Sequence, residues 1–167
     1  MATIASTDRD QLAKSYVAAW NSHDADAIAA FFTEHAVYDD RGAGEVARGR
    51  PAIRAHVANV LRAFPDLSFE LVRSAHGEGF SAAEWTCRMT HRGALDGLGP
   101  TGREIESAGV DVATLAPDGA TVTHLTSYYD GAEIMRALGV LPARHSRSER
   151  LLAQAASLAA KLPLPGR

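Results

Sequence analysis

Three side chains able to move protons stand at or near the ends of predicted β-strands. Asp130 closes a predicted strand over residues 121–130, and period-two spacing puts His124 on the same strand face. His91 ends another predicted strand and could orient a substrate carbonyl or pair with Asp130. Asp130 also precedes a predicted short helix, which it is suited to N-cap, and His91 or His124 could equally be structural. Both readings stay open at the level of sequence.

A carboxylate that removes a proton next to a carbonyl needs a pKa lifted towards neutrality, and apolar burial lifts it. The chain has aromatic side chains that could line such a pocket or form an ordinary core. We expect the pocket walls to include Trp20, Tyr38, Phe64, Trp85 and Tyr128.

Other chemistries find little support in the residue pattern. The seven histidines are scattered and no His-x-x-x-His or Cys-x-x-Cys spacing occurs, so we predict no metal site. The glycine-rich stretches at 42–47 and 77–82 do not lie between a strand and a crossover helix, which argues against nucleotide binding. Cys87 sits in mid-strand and is expected to be a small apolar filler.

Composition places the chain among ordinary globular proteins. It has 167 residues, 46% of them hydrophobic and 22% charged, with a formal net charge of −3. A chain of that length fits one main domain, and its slightly negative net charge does not indicate nucleic-acid binding. We see no membrane span or signal peptide, and a single cysteine fits a reducing compartment, so a cytoplasmic location is expected.

The elements that must position these residues fall into two groups. Apolar spacing predicts helices over 8–22, after the cap Asp24, and from Pro51 to just before Pro65, with a loop at 41–50. Predicted strands cover 36–40, 67–72, 80–92, 105–116 and 121–130. On 80–92, Trp85, Cys87, Met89 and His91 share one face.

Helices followed by a run of strands indicate an α+β fold, with three N-terminal helices packed on a curved mixed or antiparallel sheet. We assign residues 1–142 to this domain. Residues 143–167 form a linker and a C-terminal amphipathic helix over 146–161, whose apolar side would include Leu151, Leu158 and Leu162.

Four stretches carry a resemblance to a known family. They are 16–24 (YVAAWNSHD), 49–67, 85–103 and 127–139, and together they cover about residues 8–142. In their order and spacing the chain resembles the SnoaL-like branch of the nuclear transport factor 2 fold, which includes polyketide cyclases and relatives of ketosteroid isomerase. The resemblance implies a cone-shaped sheet closed by helices around an apolar pocket, and a homodimer.

The resemblance also implies a function. In SnoaL-like cyclases an acidic residue on the pocket side of the last strand is the general acid/base, and Asp130 is the position that matches. The expected activity is cofactor-independent acid/base chemistry on a hydrophobic, carbonyl-bearing small molecule: enolisation with aldol closure, or a double-bond shift. His91 or His124 would orient the carbonyl.

Two alternatives remain. An epoxide hydrolase would need two acids flanking an arginine, for which Asp111, Asp130 and either Arg88 or Arg103 are available. A non-catalytic module of the same fold would bind a small ligand or a partner protein.

Overall fold

The computed structural model describes residues 6–160 and arranges them as five helices and six strands in that range. The elements are α1 (Ser6–Asn21), α2 (Ala25–Ala29), β1 (Phe32–Asp40), β2 (Glu45–Arg48), α3 (Arg50–Ala63), β3 (Ser68–Gly77), β4 (Phe80–Thr90), β5 (Glu104–Leu115), β6 (Val122–Tyr129), α4 (Gly131–Leu138) and α5 (Arg147–Ala159).

Local signals explain where the N-terminal helices begin and end. Asp24 caps α2 by accepting hydrogen bonds from the main-chain N–H groups of Asp26 and Ala27. Proline in the first turn of α3 costs no hydrogen bond there, because the first N–H groups of a helix have no internal partner. The helix stops at Phe64, immediately before Pro65.

The six strands form one mixed sheet in the order β2-β1-β6-β5-β4-β3. β1 runs parallel to β6, and all the other neighbours are antiparallel. The predicted loop at 41–50 was partly wrong, because Glu45–Arg48 pairs with the end of β1 and extends the sheet edge. The predicted α+β fold, with a curved mixed sheet and three N-terminal helices, is confirmed.

The core lies between these helices and the concave face of the sheet. Alternation along β4 turns Trp85, Cys87 and Met89 inward, as their spacing predicts. Ile53 and Val57 of α3 are completely buried and belong to the same core. Helices on one side and the sheet on the other therefore enclose a space that the core does not entirely fill.

The C-terminal elements follow β6. α4 ends at Gly139, which takes the left-handed conformation (φ 82°) that favours glycine. On α5, Leu151, Leu152 and Leu158 are exposed. Lys161 and Leu162, which we predicted as part of this helix, lie outside the described residues. No helix within residues 6–160 combines the length and the apolar character needed to cross a membrane.

Candidate active site

A cavity of about 180 Å³ opens between the concave sheet face and helices α1, α3 and α4. Four of the predicted wall residues, Trp20, Tyr38, Phe64 and Trp85, line it. The rest of its apolar surface comes from side chains such as Phe69, Met89, Leu95, Ile134 and Met135. Polar side chains also line it, so the cavity combines a large apolar surface with a smaller set of polar groups.

The most distinctive of these polar groups is Asp111, on the inward face of β5. Its Oδ1 atom accepts hydrogen bonds from Ser127 Oγ at 2.7 Å and from Trp85 Nε1 at 3.0 Å. Both bonds fall on one oxygen, which leaves Oδ2 without a side-chain donor. Burial raises the pKa of Asp111 to about 6, the nearby Asp40 adds to the rise, and the two hydrogen bonds oppose it.

A second acid, Asp40 at the end of β1, is almost completely buried and has the opposite behaviour. Its Oδ1 accepts from Ala43 N at 2.9 Å, and its Oδ2 lies 3.3 Å from His56 Nε2. Burial acts to raise the pKa of Asp40, but hydrogen bonds from His56, Ala43 and Tyr129 outweigh it, so the pKa is lowered. Asp40 is therefore a permanent anion at neutral pH.

His56, on α3, sits between two carboxylates. Its Nε2 faces Asp40 and its Nδ1 lies 3.0 Å from Glu45 Oε2. Only a doubly protonated imidazolium can donate from both ring nitrogens. Burial acts to lower the pKa of His56, but the two carboxylates raise it above its usual value. The positive charge of the imidazolium is thus already paired within the ion triad of Asp40, Glu45 and His56.

Tyrosine hydroxyls complete the polar region. The Tyr129 side chain lines the cavity, and its influence helps to lower the pKa of Asp40. The hydroxyl of Tyr16, on α1, is buried and has no hydrogen-bond partner in the described part of the chain. Burial and the charge of Asp111 raise the pKa of Tyr16, so its hydroxyl stays protonated. Because Tyr16 lines the cavity, its O–H is a buried donor there that has no acceptor of its own among the described residues.

Two glycines make this arrangement possible. Gly109 lies opposite Trp85 in the β4–β5 ladder, and a Cβ atom there would come within 2.5 Å of the indole ring. Its missing side chain lets the ring lie across β5 and reach Asp111. Gly131, at the start of α4, lies so close to the main chain of Gly42 that a Cβ atom would collide with the Gly42 carbonyl oxygen. That contact holds the β1–β2 turn against the cavity.

Asp130 does not face this cavity, so the expectation that it is the pocket acid was wrong. It is exposed, its Oδ1 accepts from Glu133 N at 2.9 Å as the N-cap of α4, and its Oδ2 lies 3.2 Å from Arg144. Leu125, Ser127 and Tyr129 point inward along β6, so their neighbours point outward. A shift of one residue reverses the face of every side chain on a strand.

The same shift explains two further corrections. His124 is exposed rather than beside an acid in the pocket, and Tyr128, predicted as a wall, is 51% exposed on the outer face while Tyr129 takes the inward position.

His91 is completely buried but does not line the cavity. Its Nδ1 accepts from the main-chain N–H of Thr101 at 3.2 Å and its ring packs on Phe64, so it fixes the loop after β4. It has no contact with either cavity acid, which removes its expected role as their partner.

The arrangement required for an epoxide hydrolase is not formed. Arg88 pairs with Glu106 on the outer sheet face, and Arg103 is exposed and donates to the Ala137 carbonyl at 3.0 Å. Among the described residues that line the cavity there is no arginine between two acids. Within residues 6–160, no three His, Cys, Asp or Glu side chains converge as metal ligands would.

Sequence reasoning missed Asp40 and His56 as site residues and gave Asp111 only a minor place. Signals for them were present. Asp111 is an acid at the inward phase of a strand whose other inward positions include Ile105, Ala113 and Leu115. His56 lies three residues after Ile53, on the buried side of α3.

Comparisons with known proteins agree with this architecture. A family model described as a SnoaL-like domain matches residues 13–124. AclR from Streptomyces galilaeus, named as a candidate hydroxylase, has a TM-score of 0.72 at 24% identity, covering 93% of this chain and 94% of its own. IdmH from Streptomyces antibioticus, named as a candidate polyketide cyclase, has a TM-score of 0.65 at 19% identity, covering 78% and 98%.

A third structure, named as a candidate SnoaL-like polyketide cyclase from Jannaschia sp. CCS1, has a TM-score of 0.73 at 15% identity, covering 85% of this chain and 100% of its own. Identities this low show a shared fold. The search of curated proteins gives no significant match.

Proposed function

The chain belongs to the SnoaL-like domain family, and from that premise we propose that it is a cofactor-independent acid/base enzyme acting on a hydrophobic, carbonyl-bearing small molecule. The reaction is an enolisation, completed by aldol ring closure or by a double-bond shift. The observation that carries the proposal is Asp111, a carboxyl group set in an aromatic cavity with one oxygen free of side-chain donors.

Asp111 takes the role that the sequence suggested for Asp130. A pKa of about 6 leaves the group mostly ionised at neutral pH yet close enough to neutrality to hold a proton between two steps. Oδ2 would remove a proton from the carbon next to the substrate carbonyl, and the same oxygen would return it to the product. Trp85 and Ser127 fix Oδ1 and so hold the carboxyl group in one orientation.

The enolate oxygen needs a hydrogen-bond donor, and Tyr16 offers one. Its hydroxyl is unpaired, buried and within the electrostatic influence of Asp111. A donor already held in place stabilises developing negative charge without the reorganisation that water would need. We assign Tyr16 as the group that polarises the carbonyl.

The dimensions of the cavity bear on the substrate. An apolar cavity of roughly 150 Å³ accepts a benzene ring. At about 180 Å³ this one holds the reacting ring of a substrate, while further rings would extend through the mouth. Phe69 packs edge to face on both Trp20 and Trp85, and the three rings offer apolar surface to that ring.

The test is exchange of α-protons for deuterium, followed by NMR on a panel of cyclohexanone, 1-tetralone and 2-tetralone. We expect wild-type protein to accelerate exchange of at least one ketone, and Asp111→Asn to reduce that acceleration at least about a hundredfold. Asp130→Asn is the matched control, since asparagine caps helices as well as aspartate does.

Equal exchange by wild type and Asp111→Asn would remove Asp111 from the mechanism. Ketone binding by the wild type without any accelerated exchange would instead support the non-catalytic ligand-binding alternative.

A further inference from the structure

The charged side chains around the cavity are unbalanced. Four carboxylates line it, from Asp40, Glu45, Asp96 and Asp111, against one imidazole, and none of the described lining residues is lysine or arginine. The imidazole of His56 already faces Asp40 and Glu45. No positive charge is therefore left to receive a negatively charged ligand.

Two of these acids stand at the mouth. Glu45 has a side chain 51% exposed, and Asp96 is exposed in the loop after β4. No side-chain hydrogen bond or ion pair joins Asp96 to another described residue, so its charge is not neutralised locally. A carboxylate or phosphate in the cavity would share it with four acids and meet no unpaired cation among the described lining residues.

The described lining offers an entering anion no unpaired charged donor. Ser127 and Trp85 both already donate to Asp111 Oδ1. The donors that remain, such as the Tyr16 hydroxyl and the Asn59 amide, are neutral. A charge taken out of water needs a partner of opposite sign, which the cavity does not hold for an anion.

From this juxtaposition we propose that the cavity selects its ligand by sign of charge: it admits uncharged and cationic molecules and rejects anions, with Asp96 as a specificity-determining residue at the mouth. This inference rests on the proposed function, whose substrate it narrows to carbonyl compounds without a free carboxylate or phosphate.

The experiment compares ligands that share ring and chain but differ in charge. 3-Phenylpropylamine, 3-phenylpropan-1-ol and 3-phenylpropanoate are titrated at pH 7.5 while the tryptophan emission is followed with excitation at 295 nm. Both tryptophans of the chain line the cavity, so the signal reports binding there. Transfer out of water is unfavourable for the ammonium and the carboxylate alike. The difference between their binding affinities therefore reports the sign of the charge that lines the cavity.

We expect the amine to bind at least about tenfold more tightly than the carboxylate, and the gap to narrow as ionic strength rises. Asp96→Asn should tighten carboxylate binding roughly two- to fivefold. Asp96 has a positive φ of 46°, a conformation that asparagine also adopts, so the fold should be kept. Glu78→Gln removes an acid from an exposed turn away from the cavity and should change nothing.

The proposal fails if the carboxylate binds as tightly as the amine, if none of the three ligands binds, or if Asp96→Asn and Glu78→Gln behave alike. None of these outcomes touches the ketone exchange assay. If ligands of both charges bind equally but ketone exchange still depends on Asp111, the proposed enzyme is supported and the charge selectivity is not. If binding is charge-selective but ketone exchange is not accelerated, the protein is a charge-selective binding protein.

Discussion

Asp111→Asn should make the folded protein more stable at alkaline pH while it abolishes proton transfer. The substitution keeps the shape of the side chain and an oxygen that can accept from Ser127 and Trp85. What it removes is the negative charge that the cavity solvates poorly. A group placed for chemistry in an apolar site commonly costs stability, and its neutral analogue restores it.

The magnitude follows from the pKa. Burial raises the pKa of Asp111 from the usual 3.8 to about 6. The folded state therefore favours the neutral carboxyl group. Asp111 does not lower the free energy of unfolding below pH 3.8, where it is protonated in both states, and it lowers that free energy increasingly as the pH rises through 6. A shift of this size is worth on the order of 3 kcal/mol at pH 8, because each pK unit corresponds to about 1.4 kcal/mol. Asparagine avoids that cost.

Urea denaturation followed by tryptophan fluorescence measures this difference from pH 4 to pH 8. We expect Asp111→Asn to exceed wild type by about 2–3 kcal/mol at pH 8, and the gap to approach zero at pH 4. The other titrating groups are common to both proteins, so their contributions largely cancel in the difference between the two free energies of unfolding. The reasoning is refuted if the variant is less stable than wild type at pH 8, or if the gap does not change with pH. Asp130→Asn should show no comparable gain.

Three further outcomes are expected. His56→Gln should destabilise the protein by about 3 kcal/mol at pH 6, because it leaves the buried Asp40 charge unpaired. The pKa of His56 is raised in the folded protein, so its stabilising proton is lost as the pH rises and the destabilisation should shrink by pH 9. A destabilisation that does not change with pH in urea denaturation would contradict this. Tyr16→Phe should leave the free energy of unfolding within about 1 kcal/mol of wild type, since the hydroxyl has no partner among the described residues. It should nevertheless slow the exchange of ketone α-protons at least tenfold. A change in stability without a change in exchange would argue against Tyr16 as the group that polarises the carbonyl. Gly131→Ala should lower the free energy of unfolding by about 1–3 kcal/mol, because its methyl group would collide with a main-chain carbonyl of the β1–β2 turn, whereas Gly99→Ala, with nothing within 4 Å, should be neutral in thermal unfolding.

Much of the fold could be predicted because its determinants are local. The cap Asp24, the proline in the first turn of α3 and the strict alternation of Trp85, Cys87 and Met89 each act within a few residues. Strand β2 was missed because its side chains show no alternation of burial. It is held by pairing with β1 rather than by its own pattern.

The site was harder to predict because the phase of β6 is ambiguous. The sequence Ser127-Tyr128-Tyr129-Asp130 offers an aromatic residue in either phase, so alternation alone cannot say which tyrosine faces inward. Tertiary contacts decide it: Ser127 donates to Asp111, and the Tyr129 ring packs near Trp85. The residues of the site meet over long separations in the chain, such as the 26 positions between Trp85 and Asp111, which spacing does not report.

The two cavity acids show how one fold can keep one carboxyl group charged and another close to neutrality. Asp40 receives a hydrogen bond from a main-chain N–H and faces an imidazolium, so its negative charge is balanced. Asp111 receives two neutral donors and no opposite charge, and the anion of Asp40 acts against its ionisation. Had His56 faced Asp111 instead, Asp111 would hold its charge too firmly to take up a proton near neutral pH. The position of a single imidazole on α3 thus helps to separate the pKa values of the two acids, as the proposed proton transfer by Asp111 requires.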